Sequence, residues 1–236
     1  MQDVLARVRA AVDRYEMIAE NDTVAVGVSG GKDSMLLLAA MDELRRFYPR
    51  SFTLKAITVD PRFGGKDGDY AAIAAFCERR GIPYIVHPTE LYKVVFEDKQ
   101  EKNPCSLCAR MRRGILHRVA VENGCSTVAL GHHEDDAAET FLMNLLSGST
   151  LSCFSPVSLL DRQGIKLIRP LIFLNERQVK AAANRLQLPI VKSACPVDGD
   201  TNRKRMREIL ESLQADTPDA AHRIVTAMQK EHLSRW

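Results

Sequence analysis

The stretch TVAVGVSGGKDSMLLLAAM, from Thr23 to Met41, determines the fold that this chain can adopt. Its first part, Thr23 to Val28, is a short, apolar and mostly β-branched run of the kind found in buried strands. A glycine-containing loop follows at once, and Met35 to Met41 is apolar enough to form a packed helix. The stretch therefore predicts a strand, a tight loop and a helix in direct succession.

The same alternation recurs along the whole chain. Further strands are predicted at 52–59, 84–86 and 127–130, and helices at 3–19, 70–80, 111–122, 135–146, 176–186, 201–214 and 218–233. Alternating strands and helices favour a doubly wound, mainly parallel α/β sheet with helices on both faces and extra helices at the C-terminus. We expect loops at 61–69 and 89–104 and irregular structure at 147–170.

Composition narrows the class of protein. The 236 residues are 45% apolar and 27% charged, which is typical of a soluble globular protein. No apolar run approaches the roughly 20 residues that span a bilayer, and the first residues lack the apolar core of a signal peptide. We therefore expect a cytoplasmic protein without a membrane partner, in which the six cysteines are reduced thiols, metal ligands or catalysts rather than disulfides.

The net charge of +3 is small, but the basic residues are clustered. One group follows Cys108 and the other follows Cys195; their members are Arg110, Arg112, Arg113, His117 and Arg118, and Arg203, Lys204, Arg205 and Arg207. Charge alone leaves two interpretations open, namely two solvated helix faces or two surfaces that contact nucleic acid.

The loop Ser29-Gly30-Gly31-Lys32-Asp33-Ser34 is a predicted phosphate site. Its glycines allow the backbone to approach an anion, and the helix that follows supplies free N–H groups and partial positive charge. Lys32 adds a point charge, and Ser29 and Ser34 add hydroxyl donors. The spacing fits neither a Walker A loop nor a GxGxxG motif.

A second motif, GHHEDDAAET at residues 131–140, lies where a predicted strand gives way to a helix. Carboxylates beside a triphosphate commonly hold Mg²⁺. Acidic residues also favour helix N-termini through the helix dipole, but this does not explain the paired histidines His132 and His133. The phosphate loop, the second motif and Asp60 all lie at the predicted carboxyl ends of strands. We therefore expect them to meet in one crevice.

The pair Cys105 and Cys108 forms a CxxC motif that by itself is ambiguous. It fits half of a structural zinc site, a redox pair or part of an iron–sulfur site. A zinc site normally shows a second close pair of ligands, and none is visible in the sequence, but zinc held by Cys105, Cys108, Cys195 and a histidine stays open. Cys195 is the leading candidate for a third thiol and Cys153 is its competitor, whereas Cys77 lies in a predicted amphipathic helix and is expected in the core.

The loop SGGKDS resembles the pyrophosphate loop of the PP-loop ATP pyrophosphatase superfamily, whose fold is adenine nucleotide α-hydrolase-like. The resemblance implies cleavage between the α- and β-phosphates of ATP, transfer of AMP to the substrate and release of pyrophosphate. It assigns nucleotide binding to the loop, to the strand end and to the second motif, that is, to Ser29, Gly30, Gly31, Lys32, Asp33, Ser34, Thr58, Val59, Asp60, Gly131 and His132.

Four further segments carry a narrower resemblance, to the tRNA 2-thiocytidine synthetase family. They are Pro104-Cys105-Ser106-Leu107-Cys108, Arg112-Arg113-Gly114-Ile115-Leu116, Gly131-His132-His133 with Asp135-Asp136, and Ile168-Arg169-Pro170-Leu171-Ile172. The resemblance implies ATP, Mg²⁺ and a [4Fe–4S] cluster bound by Cys105, Cys108 and Cys195. Catalytic roles fall on these three cysteines and on Asp33 and Asp136.

The resemblance also implies the partners and the division of the chain. The partners would be tRNA and a sulfur donor, either sulfide or a cysteine desulfurase, and a homodimer is compatible with it. The expected segments are an N-terminal helix at 1–20, a PP-loop ATPase domain at 21–195 with an inserted CxxC segment, and a basic helical extension at 196–236. Two other functions remain open at this point: a ligase similar to tRNA lysidine synthetase, and a nucleotide-regulated sulfur or metal carrier.

Overall fold

The computed structural model describes residues 1–98, 104–160, 164–192, 194–195 and 202–236. The strands are β1 (Asp22–Gly27), β2 (Phe52–Asp60), β3 (Tyr84–Pro88), β4 (Thr127–Ala129), β5 (Val157–Leu160) and β6 (Ile165–Ile168). The main helices are α1 (Gln2–Arg14), α2 (Lys32–Leu44), α3 (Ala71–Arg79), α4 (Pro104–Glu122), α5 (Glu134–Gly148), α6 (Glu176–Arg185), α7 (Asn202–Asp216) and α8 (Ala220–Lys230).

The strands form one sheet in the order β3-β2-β1-β4-β6-β5. All neighbouring pairs are parallel except β5 with β6, which is antiparallel. The predicted doubly wound, mainly parallel sheet is thus confirmed. The chain moves outward from β1 to β2 and β3, then returns to place β4 on the other side of β1. Ligands in such sheets bind at this change of direction, beyond the carboxyl ends of β1 and β4.

Helices cover both faces of the sheet. Helix α2 lies in the larger core, and its residues Met35 to Leu38 are fully buried. The opposite face packs against α4 through Leu116, Val119 and Ala120, which meet Ile57, Val59 and Val128 of the strands. Burial on both sides explains why the strand segments read as nearly continuous apolar runs.

Helices α1 and α8 share the larger core with α2 and α6, through Val8 and Val12 of α1 and Val225 and Met228 of α8. The division of the chain into three segments remains a prediction. Within the described ranges, none of the helices combines the length and the apolar character that are needed to cross a bilayer.

The structure corrects two predicted boundaries. Helix α1 ends at Arg14 rather than at residue 19, because Glu16 adopts a left-handed conformation with φ 47°. The apolar residues Met17 and Ile18, which suggested a longer helix, are fully buried in the turn that follows. The region predicted as irregular at 147–170 contains the strands β5 and β6, which at four residues each are too short for a clear period.

The structure also corrects the loop that was predicted at 89–104. Residues Lys93–Asp98 form a π-helical turn, and Pro104 begins α4, so both CxxC cysteines lie in a helix rather than in a loop. Proline is favoured in the first turn of a helix, where its missing N–H leaves no bond unmade. The predicted basic helix therefore begins seven residues earlier than its apolar pattern indicated.

Candidate active site

Hydrogen bonds of Ser34 fix the conformation of the loop between β1 and α2. Ser34 Oγ donates to the carbonyl oxygen of Gly31 at 2.9 Å and accepts from the main-chain N–H of Ser29 at 3.1 Å. Gly30 has φ 87°, a conformation that side chains other than glycine rarely adopt. The loop leads directly into α2 at Lys32, so the free N–H groups of a helix start face its interior.

The phosphate loop is also tied to the segment that precedes Cys195. The main-chain N–H of Val191 donates to the carbonyl oxygen of Gly30 at 3.0 Å. A Cβ atom at position 30 would lie 3.1 Å from Val191 Cβ, so the two segments are in close contact. This contact places Val191, four positions before Cys195 in sequence, beside the phosphate loop.

A cavity of about 350 Å³ lies over the phosphate loop at the carboxyl ends of β1 and β4. Six parts of the chain contribute to its wall: the phosphate loop, the end of β2, the end of β4, the second motif, helix α4 and helix α7. The lining residues that bear on the chemistry are Ser29, Asp33, Ser34, Val59, Arg112, Arg113, Gly131, His132, Asp136 and Arg203. The structure thus brings the predicted loop and the second motif together in one crevice.

The strand end at Thr58-Val59-Asp60 is divided between the two faces of the sheet. Val59 lines the cavity, whereas Thr58 Oγ1 donates to the carbonyl of Val28 at 2.8 Å on the other face. The carboxylate of Asp60 accepts from the N–H of Gly68 at 2.8 Å and from Tyr70 Oη at 3.2 Å. Asp60 therefore organises the glycine-containing loop after β2, and its predicted role beside the adenosine stays a prediction.

Around His133 the structure builds a charged cluster that the sequence did not show. His133 Nε2 lies 2.9 Å from Glu176, 3.5 Å from Asp136 and 3.9 Å from Asp33. Lys32 Nζ lies 3.0 Å from the same Glu176 and 2.9 Å from Asp33. Glu176 was missed because it begins α6, some forty residues beyond the second motif, and no local pattern marks it.

The charges in this cluster stabilise one another. Burial disfavours a charged imidazole, but the bonds to Asp135 and Glu176 and the charges of Asp136 and Asp33 raise the pKa of His133 to about 10. The hydrogen bond from His133 is the main reason that the pKa of Glu176 falls to about 2. At neutral pH the cluster therefore contains an imidazolium surrounded by carboxylates.

Ligand atoms of Asp33, His133 and Glu176 lie within 4.8 Å of one another. A protonated imidazole cannot ligate a cation, so the oxygens of Asp33, Asp136 and Glu176 are the donors that could hold Mg²⁺ here. Such hard oxygen donors beside a phosphate loop fit this ion.

His132 points away from this cluster and contacts Arg169. Arg169 Nε donates to His132 Nδ1 at 3.2 Å, and the guanidinium lies 4.7 Å from the centre of the Phe154 ring. Burial, partly opposed by Asp136 and assisted by Arg169, lowers the pKa of His132 to about 3. His132 is therefore neutral at physiological pH, in contrast to its neighbour His133.

The CxxC motif occupies the start of α4, and the structure brings Cys195 to it. Burial raises the pKa of Cys108; Arg112 opposes this, and the nearby thiols of Cys195 and Cys105 add to it. Cys195 is thus close enough to Cys108 to act on its ionisation, although 87 positions (195 − 108) separate them in sequence. Three thiols from two segments thus lie near one another, and thiolates are the ligands that iron–sulfur clusters use.

Cys153, the competing candidate, lies elsewhere. Its thiol donates to the carbonyl oxygen of Ala137 at 3.4 Å, and burial raises its pKa to about 12. The groups that act on its ionisation are the Phe154 backbone, Arg169, Trp236 and Arg203, none of which is a thiol. Cys153 therefore packs behind the second motif, and Cys77 is buried in the core as expected.

Two arginines of the second basic group pair with carboxylates of α5, although their side chains remain 42% (Arg203) and 50% (Arg207) exposed. Arg207 Nε lies 2.9 Å from the buried carboxylate of Glu139, and Arg203 lies 3.5 Å from Asp136. Helix α7 is therefore bound to α5 by charge as well as by apolar packing of Met206. Among the same group, Lys204 and Arg205 are exposed.

Comparisons with known proteins agree with this geometry. The family described as a PP-loop domain matches residues 3–213. The chain is 38% identical to the tRNA-cytidine(32) 2-sulfurtransferase of Geobacter metallireducens, covering 94% of this chain and 88% of that protein. It is 36% identical to the enzyme of that name from Citrifermentans bemidjiense, covering 96% and 89%.

A solved structure extends the comparison to the fold. The U34-tRNA thiolase NcsA from Methanococcus maripaludis, solved with its [4Fe-4S] cluster, superposes with a TM-score of 0.79 at 30% identity. The match covers 97% of this chain and 77% of that protein. The resemblance to the PP-loop superfamily is thereby confirmed.

Proposed function

Because the chain belongs to the PP-loop family and to its tRNA-cytidine(32) 2-sulfurtransferase group, we propose that it adenylates the C2 oxygen of a tRNA cytidine and replaces that oxygen with sulfur. The chain is an ATP-dependent tRNA sulfurtransferase that forms AMP and pyrophosphate. One observation carries the specific mechanism. The helix whose first turns hold Cys105 and Cys108 also lines the phosphate-loop cavity through Arg112 and Arg113.

The phosphate loop binds ATP in this proposal. The N–H groups at the start of α2 and the ammonium of Lys32 hold the phosphates, and ATP displaces Lys32 from Glu176. Asp33 and Asp136 would hold Mg²⁺, which would neutralise phosphate charge during transfer of AMP. Both carboxylates line the cavity, which supports this assignment.

The three thiols form the sulfur end of the site. Cys105, Cys108 and Cys195, as thiolates, would hold a [4Fe–4S] cluster. Three protein thiolates would leave one iron of such a cluster open, and the cluster would supply that iron as a binding site for sulfide. The cationic Arg112 beside Cys108 favours the thiolate, and together with Arg113 it faces the cavity where the activated base must lie.

Exposed basic residues next to the cavity provide contacts for the RNA backbone. Arg110 and Arg118 of α4 and Lys204 and Arg205 of α7 are exposed, and both helices border the cavity. Lysine and arginine side chains on one surface attract phosphates. We assign tRNA to this surface, sulfide or a cysteine desulfurase as sulfur donor, and the cytoplasm as the location of the reaction.

The test uses the whole protein, purified and reconstituted without oxygen, with unmodified tRNA, ATP, Mg²⁺ and sulfide. Mass spectrometry of the nucleosides should show 2-thiocytidine, and pyrophosphate should form in equal amount. The same reaction with Cys105→Ala should retain ATP binding and lose the thionucleoside.

Other products would contradict the proposal. Lysidine formed with added lysine would indicate a ligase, and ATP binding without pyrophosphate release would indicate a carrier. Thiolation that persists in Cys105→Ala protein without iron would exclude a role for the cluster.

A further inference from the structure

Arg169 is a buried cation whose polar contacts are all neutral. Arg169 is 5% exposed. Its Nε donates to His132 Nδ1 at 3.2 Å, and its Nη1 donates to the carbonyl oxygen of Ser155. Within the part of the chain that the structure describes, no carboxylate lies at ion-pair distance from it. A buried charge without a counterion is costly, so its retention points to a specific task.

The contact between Arg169 and His132 fixes the position of a proton. A guanidinium has five N–H donors and no acceptor, and it stays protonated in proteins. His132 Nδ1 must therefore accept, which leaves the ring proton on Nε2. The geometry selects one neutral tautomer of His132 and excludes an imidazolium, whose Nδ1–H would meet the donor of Arg169.

The ring of His132 is also held in orientation. It packs against Phe154 with 5.0 Å between ring centres, and Phe154 is backed by Trp236, whose Nε1 donates to the Phe154 carbonyl at 2.7 Å. The preceding Gly131 is so close to α2 that a Cβ there would lie 3.0 Å from the backbone of Asp33. His132 is thereby placed at the start of α2, and it lines the cavity.

His132 lines the cavity, and Nε2 is the ring's second polar atom. Among the described residues, Nε2 of His132 makes no hydrogen bond, although Nδ1 is engaged. The charged groups around the ring are Asp136, Arg113 and Arg203, which line the same cavity, and Arg169 behind it. An N–H directed beside the phosphate loop is suited to an anionic oxygen.

We propose that Arg169 is a positioning residue that fixes His132 as the Nε2–H tautomer, and that this N–H donates to an α-phosphate oxygen of the bound nucleotide. The proposal rests on the proposed adenylation reaction. The negative charge on the α-phosphate oxygens is redistributed as the base oxygen attacks and pyrophosphate leaves. The Nε2–H of His132 is a fixed neutral donor that stabilises this charge. Lys32 is left to bind the departing pyrophosphate.

The first experiment reads the tautomer directly in the nucleotide-free protein. Nitrogen-15 NMR of the imidazoles at neutral pH should show His132 with a protonated Nε2 and an unprotonated Nδ1. The signals are assigned by their loss in His132→Gln. Arg169→Met should convert His132 to a mixture of tautomers, whereas Arg80→Met, which removes a different partly buried arginine, should leave it unchanged. A protonated Nδ1 in the wild-type protein would overturn the proposal, whatever the variants do.

The second experiment measures pyrophosphate formation with tRNA. The amide nitrogen of glutamine reaches the place of Nε2 and that of asparagine the place of Nδ1. We expect His132→Gln to stay within about threefold of wild-type kcat and His132→Asn to lose about 10²-fold, the typical cost of one transition-state donor. Arg169→Met should lower kcat with little change in the KM for ATP.

Equal losses for glutamine and asparagine would refute the donor role. If the wild-type protein formed no pyrophosphate at all, the proposed function would fail. The NMR result would then still stand or fall by itself.

Discussion

The main-chain N–H of Val191 donates to the carbonyl oxygen of Gly30, joining the segment that carries Cys195 to the phosphate loop. The bond orients the peptide between Gly30 and Gly31, whose neighbours supply the N–H groups at the start of α2. The phosphate loop is therefore held by a backbone contact that lies four positions before Cys195 in sequence. A change on either side of this bond should affect both ATP binding and the thiol site.

Gly30→Ala tests that contact. A Cβ in this left-handed region costs about 1–2 kcal/mol, and here it would also press on Val191 Cβ at 3.1 Å. We expect lower stability in urea and at least a tenfold weaker affinity for ATP, measured by calorimetry. The matched control is Gly124→Ala, since Gly124 has φ 69° with open space around it. The control should show the conformational cost alone, and equal ATP affinity in both variants would contradict the assigned role of the contact.

Cys195→Ser and Cys153→Ser form a second matched pair. Cys195 acts on the ionisation of Cys108, whereas Cys153 is bonded to the carbonyl of Ala137. After anaerobic reconstitution, Cys195→Ser should lose most of its bound iron and sulfide and at least 10²-fold in thiolation. Cys153→Ser should keep both. The reverse pattern would move the third ligand to Cys153.

Stability should depend on pH through His133 and Glu176. The pKa of His133 is raised in the folded state, so its contribution is complete below about pH 6.5, the unfolded value, and is lost as the pH rises through about 10. The pKa of Glu176 is lowered, so its contribution holds above about 4.3 and is lost as the pH falls through about 2. Unfolding by urea, with chelator present, should show a decline from pH 7 to 10.

The variant His133→Gln separates this decline from other alkaline effects. It should be less stable than the wild type at pH 6.5 and should lose less on going to pH 10. Parallel curves for the two proteins would show that His133 is not the group responsible. Because His133 is buried, we expect the difference between them to be on the order of a few kcal/mol at pH 6.5.

Arg207 and Arg203 should differ in what their loss costs. Arg207→Met removes the partner of Glu139, a carboxylate that is 2% exposed, but Arg207 itself is half exposed, so the free energy of unfolding should fall by about 1–2 kcal/mol. Adding Glu139→Gln should restore much of it. Arg203→Ala breaks longer contacts, 3.5 Å to Asp136, 3.8 Å to Glu139 and 3.4 Å to Thr140 Oγ1, and should cost less than about 1 kcal/mol. A large loss for Arg203 alone would indicate that it, rather than Arg207, secures α7.

Much of this architecture can be predicted from residues that lie close together in the sequence. The run from Thr23 to Met41 predicts β1, the phosphate loop and α2, because each is decided by residues next to one another in sequence. The loop and the second motif meet as predicted, since both follow parallel strands that end at one edge. The likeness of both motifs to known families added the nucleotide chemistry.

The rest depends on contacts that no local pattern records. Glu176 enters the site because α6 begins beside α2, and Thr58 leaves it because alternate residues of β2 face opposite sides of the sheet. The CxxC was expected in a loop, since the apolar period of α4 becomes clear only beyond Met111. The sequence alone is compatible with Arg207 as a solvated surface charge, because its partner Glu139 lies on a different helix.

Helix α4 carries thiols in its first two turns and cavity-lining arginines in the next, without a break between them. An α-helix rises 1.5 Å and turns 100° with each residue, so Cys108 and Arg112 are about 6 Å apart along the axis and on nearly the same side. The helix thus fixes both the distance and the angle between the thiols and the arginines. Inserting or deleting a single residue between these positions would swing the thiols a quarter turn away from the crevice, whereas point substitutions would leave their spacing intact. Natural length variation should therefore fall before Pro104 or after the arginines.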